Sequence, residues 1–235
     1  MSTYKYKAEE EKLTKKLKTF VSSFLAVVML CLASMTCFAA DTSSQPLTGP
    51  TKMFVEMCDN LFNNPTKYRA LDKGQNDVTN AFVNSHVSDY QNNNYDALWD
   101  AFRAELYAIT WRTEKKIDTR GSVATRTVED SFYVVDGTTG TRPEFAFEML
   151  YTVSGDYSYD ISTYEFLDHS SARVSVDSFH AGDYFTYSVK NENSNVRVNG
   201  NQIKFTGSFS LDVTVIFGKT IGFGTYYGTV TGYAQ

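Results

Sequence analysis

The chain has 235 residues, 22 Lys and Arg against 27 Asp and Glu, a formal net charge of −5 at neutral pH and 15% aromatic residues. An acidic balance lacks the basic footprint that nonspecific nucleic-acid or anionic-membrane binding requires, so neither is an expected partner. Three cysteines in a chain of this length leave stability to a packed core, not to a disulfide framework.

The first segment reads as an export signal. Lys5, Lys7, Lys12, Lys15, Lys16 and Lys18 precede an almost uncharged run over 20–30 that continues to Ala40, the basic and apolar parts of a secretory leader. Cys37 and Ala39 supply small residues at −3 and −1 of a cut after Ala39, whereas a cut after Ala40 places bulky Phe38 at −3. An apolar run of about 19 residues is also long enough to act as a retained anchor, and cleavage is the favoured reading. Six basic and three acidic residues leave with the leader, so the exported part holds 16 basic against 24 acidic residues, near −8. Cys31 and Cys37 leave too, and only Cys58 remains. The expected compartment is extracellular, with the membrane involved only during export.

Residues 40–50 are polar and broken by Pro46, Gly49 and Pro50, which suits a linker. Residues 51–235 read as one α+β domain, helical over 51–116 and β over 122–235. Met53, Met57 and Leu61, with Phe54, Cys58 and Phe62, predict a helix stopped by Asn63, Asn64 and Pro65. A second helix is expected from a cap at Asn76 through Val78, Phe82, His86 and Tyr90. A third is expected over 96–111, with Leu98, Trp99, Phe102, Leu106 and Ile109 inward.

Beyond Gly121 the rhythm changes to alternation by two. Strands are expected over 123–135, 173–179 and 184–189, and Phe145, Phe147, Met149, Tyr151 and Val153 predict another. Ser154, Gly155 and Asp156 are expected to turn the chain, with Tyr157, Tyr159 and Ile161 returning. The clearest alternation runs over 205–217, and Asn199-Gly200 just before it is a hairpin signal. A second hairpin is expected near Gly218 and Lys219. The sum is a seven- to eight-stranded antiparallel meander forming a barrel-like sheet or a sandwich.

Chemistry-bearing residues are sparse. His86 lies on a helical apolar stripe, and Cys58 sits between Phe54 and Phe62, where a thiol behaves as a small hydrophobe. Asp168-His169-Ser170-Ser171 holds the residue types of a hydrolytic triad, but neighbours in extended chain point to opposite faces. Asp177, His180 and Asp183 flank a turn that could gather a divalent ion, although ordinary turn polarity explains them as well. No phosphate-binding loop or HExxH, CxxC, GxSxG or EF-hand pattern occurs, and no cofactor is expected. Ten of the sixteen tyrosines follow residue 130. Tyrosine offers a flat apolar face and a hydroxyl, and is also a good strand residue.

The expected function is that of a secreted non-catalytic binding or interaction protein. It would use Tyr157, Tyr159, Tyr164, Tyr184 and Tyr187 on a sheet face or barrel mouth to hold an extracellular protein, glycan or apolar ligand. The alternative is a secreted hydrolase or metal-assisted enzyme using His169 and His180 with a carboxylate from Asp160, Glu165, Asp177 or Asp183.

Overall fold

A computed structural model describes residues 47, 49–114, 118–138, 145–181, 185–215 and 219–235. The leader and most of the linker lie outside them, as do Asp183, Tyr184, Phe217 and Gly218. The fold is α+β: the described residues form three helices and ten antiparallel strands in two sheets, with no closed barrel among them.

Helix α1 (Lys52–Asn63) begins where the Thr51 hydroxyl accepts the Phe54 N–H at 3.1 Å, and it buries Phe54, Cys58 and Leu61 at helical spacing. Strand β1 (Tyr68–Asp72) follows, so the helical part is interrupted by a strand. Helix α2 (Thr79–Gln91) is opened by Asp77, whose carboxylate accepts the Thr79 N–H and hydroxyl at 3.0 and 2.6 Å. Asn76, expected as its cap, instead bonds back to Asp72 in the preceding turn. Helix α3 (Tyr95–Glu105), capped by Asn94, ends six residues earlier than expected. Leu106 and Ile109 belong to strand β2 (Leu106–Glu114), which is rich in Tyr, Ile, Thr and Trp.

The remaining strands are β3 (Asp118–Arg120), β4 (Val123–Thr138), β5 (Phe145–Asp160), β6 (Phe166–His169), β7 (Arg173–His180), β8 (Phe185–Asn199), β9 (Gln202–Val215) and β10 (Lys219–Tyr233). Seven of the ten form one sheet in the order β1, β2, β4, β5, β6, with β3 also on β4 and β7 also on β5. The other three form a second sheet with β9 central. The expected turn at 154–156 does not exist, because β5 runs through it in unbroken register with β4. Gly155 is there for room: the Phe205 ring of the second sheet occupies the space a Cβ would need. The β8–β9 hairpin has Asn199 paired with Gln202, so its loop is Gly200-Asn201, one residue beyond the expected pair. Gly200 takes φ +59, the left-handed value glycine accepts freely at the first central position of a tight hairpin turn.

The larger sheet is covered on both faces. Odd residues of β5, from Phe147 to Tyr159, share one core with Phe205, Phe209, Leu211, Val213 and Val230 of the second sheet. On the opposite face Tyr133, Val135, Ala146 and Ile109 pack with Phe54, Leu61, Leu98, Trp99 and Phe102 of the helices. The molecule is therefore layered as helices, large sheet and small sheet. Among the described residues no helix is long and apolar enough to cross a membrane.

Candidate functional site

The tyrosines divide into two populations. Tyr157 and Tyr159 are each only 2% exposed, within the core between the sheets. Their hydroxyls reach the backbone of β10 and of Gln235 just beyond it. Tyr233 N–H donates to Tyr157 Oη at 3.0 Å, Tyr157 O–H donates to the Tyr233 carbonyl at 3.0 Å, and Tyr159 O–H donates to Gln235 O at 2.6 Å. Six residues earlier, Tyr227 N–H donates to Tyr107 Oη at 2.9 Å and Tyr151 O–H donates to the Tyr227 carbonyl at 2.8 Å. An edge strand leaves a row of unpaired N–H and C=O groups, and here ring hydroxyls from the facing sheet satisfy part of that row. Burial pushes the Tyr151 and Tyr157 hydroxyls above the ordinary tyrosine range, which keeps them protonated as donors.

The second population is exposed. Tyr164, 49% exposed, sits in the turn between β5 and β6, flanked by exposed Ile161 and Leu167. Its φ of +59 is uncommon for a bulky side chain. The Asp160 carboxylate holds the turn, accepting Ser162 N–H at 2.7 Å and Thr163 N–H at 3.1 Å. The Ser162 hydroxyl and those two amides hold its pKa below the usual carboxylate range. Tyr187 on β8 is 40% exposed, with its ring 4.7 Å from that of Phe179. Tyr184 lies outside the described residues.

On the same hairpin, at the end of β6 away from the Tyr164 turn, an open hollow of about 320 Å³ is lined by Thr125, Asp156, Tyr157, Ser158, Asp168, His169 and Ser170. Its polar groups are tied locally. Asp156 accepts from Thr127 and Arg173, each at 2.7 Å. His169 Nδ1 lies 3.1 Å from Ser170 O, and Ser170 O–H donates to the Ser171 carbonyl at 2.8 Å. These contacts contain no serine-to-imidazole relay. The two histidines also sit apart. His169 pairs with Tyr157 and His180 with Glu148, nine positions apart on β5, or roughly 30 Å at the rise of a strand.

Asp177 is the extra residue of a bulge opposite Leu150 and Tyr151, and its carboxylate accepts from Thr152 and Ser175 at 2.5 and 2.6 Å. With Asp183 outside the described residues, no group of three His, Cys, Asp or Glu side chains among those described is placed to hold a metal ion. His86 bonds Glu105 at 3.2 Å across α2 and α3, with its ring 4.6 Å from that of Phe82. Cys58 is buried, and desolvation pushes its thiol up to about 12.

A second, smaller cleft of about 100 Å³ is lined by Arg112, Arg126, Tyr157 and Tyr233. Arg112 is committed to the buried Asp130 carboxylate at 2.9 Å, while Arg126 bonds Gln235 O at 2.8 Å and lies 5.2 Å from the centre of the Tyr159 ring. The exposure of Ile161 and Leu167 was not legible in the sequence, where Ile161 reads as part of a strand with Tyr157 and Tyr159; β5 ends one residue before it.

No protein-family model, curated protein or solved structure matches the chain.

Proposed function

We propose that the chain is an exported, non-catalytic binding protein that recognises a glycan through the β5–β6 hairpin, with Tyr164 as the principal contact. The observation that carries the reading is Tyr164: a half-exposed ring held in a left-handed turn by Asp160, with Ile161 and Leu167 exposed beside it. A turn whose backbone is ordered before binding loses little entropy on contact. The face of the Tyr164 ring suits the C–H face of a sugar, and the hollow on the same hairpin is lined by Ser158 and Asp168, whose polar groups suit sugar hydroxyls. Export rests on the leader over 1–39.

The test is a glycan array probed with the chain and with Tyr164→Ala. The native chain is expected to bind a restricted set of glycans, and the variant to bind them about tenfold more weakly, the equivalent of about 1.4 kcal/mol. No signal from the native chain, or equal signals from both proteins, overturns the proposal.

A further inference from the structure

Glu148 has no part in the binding reading, yet it is the most deeply buried ionisable carboxyl among the described residues. It has no exposed surface and sits on the helix-facing side of β5. Tyr133 O–H donates to its Oε2 at 2.5 Å, while Oε1 has no hydrogen-bond partner. The groups around it can be named element by element. On α1, the Thr51 hydroxyl lies beside the carboxyl, Lys52 and Glu56 pair with each other at 3.7 Å on the surface, Asp59 accepts from Tyr90 and Tyr95, and Cys58 is the buried thiol that acts on Tyr133. On β4, Asp136 is engaged by Tyr226 at 2.6 Å on the other face of the sheet. On β7, His180 is the direct cross-strand neighbour.

An ionised carboxylate with one bare oxygen in an apolar layer is costly, and a neutral carboxyl far less so. Desolvation accordingly raises the pKa of Glu148, against the opposing pull of Thr51, Tyr133 and His180. We propose that Glu148 makes the seating of α1 on the large sheet proton-dependent: the helix docks over a neutral carboxyl and loosens when that carboxyl ionises.

The sign follows from linkage. A glutamate in the unfolded chain titrates at about 4.3, below its folded-state pKa, so folding favours the proton-bound form. The stabilisation is complete below about pH 4 and is lost as pH rises through the folded-state pKa.

Two readouts on the full chain test this. In a Trp111→Phe background Trp99 alone reports on α1, because its ring lies edge-on to Phe54 at 4.9 Å. Raising the pH from 4 to 9 is expected to red-shift Trp99 emission and to lower the Tm by about 2–4 °C or more. Glu148→Gln, which keeps the shape and removes the charge, is expected to remove both changes. Trp99 emission that stays constant with pH in the native-Glu148 protein overturns the proposal, and needs no variant at position 148 to fold. An unchanged pH slope of Tm in Glu148→Gln also overturns it.

Discussion

At the scale of single residues, the tyrosines are seated in two ways, some bonded to β10 from within the core and others exposed. Tyr157 packs its ring against Phe166 and Phe205 while its hydroxyl both accepts from and donates to Tyr233. Tyr157→Phe keeps the ring and removes both bonds. It is expected to lower stability by about 1–2 kcal/mol in a denaturant titration. Cys58 gives a second residue-scale prediction. At 3% exposure and with a thiol pushed up to about 12, it is expected to resist a disulfide-exchange reagent in the native protein at pH 8 and to react stoichiometrically in denaturant. Rapid reaction of the native protein would place the thiol in a different environment. The number of tyrosines was legible in the sequence, but their division was not. Period-2 alternation puts Tyr157 and Tyr159 on one face and says nothing of a second sheet lying on that face.

At the scale of elements, the first helix and the central strand β9 follow directly from periodicity, and the errors have physical causes. Leu98, Phe102, Leu106 and Ile109 are spaced as on a helix, and in β2 Leu106 and Ile109 still face inward toward the helices. Three positions apart, they would face opposite sides of a regular strand, and the irregularity that skips Tyr107 in the β1–β2 register turns both toward the helices. Pairing of β2 with β1 and β4 then overrides the helical rhythm at Leu106, so the change to strand comes well before Gly121. Gly155 misled differently: a glycine between Ser154 and Asp156 looks like turn chemistry, but it serves close packing under Phe205. Gly155→Ala is accordingly expected to destabilise by about 1–3 kcal/mol through overpacking, measured by the denaturation midpoint. A change within about 0.5 kcal/mol would mean that Phe205 moves aside freely. Glu148 was hidden because alternation puts it on the polar side of β5, and only the helix layer turns that side inward.

At the scale of the whole molecule, the large sheet is a scaffold between two coverings, the helices on one face and the small sheet on the other. Both apolar cores are built from its side chains, so it fixes the geometry of everything attached to it. The β5–β6 hairpin extends from this scaffold and carries Tyr164 outward on a bonded turn, where recognition can rest on a rigid base. The tyrosines that staple β10 and the tyrosine offered for binding therefore predict opposite patterns of loss. The decisive measurement is glycan-array binding of the native chain, Tyr151→Phe, which removes a bond to β10 away from the hollow, and Tyr164→Ala, each folded at the assay temperature. Binding retained by Tyr151→Phe and reduced about tenfold by Tyr164→Ala is the expected result. Equal binding by Tyr164→Ala and the native chain, or no glycan bound by any of the three, would contradict it.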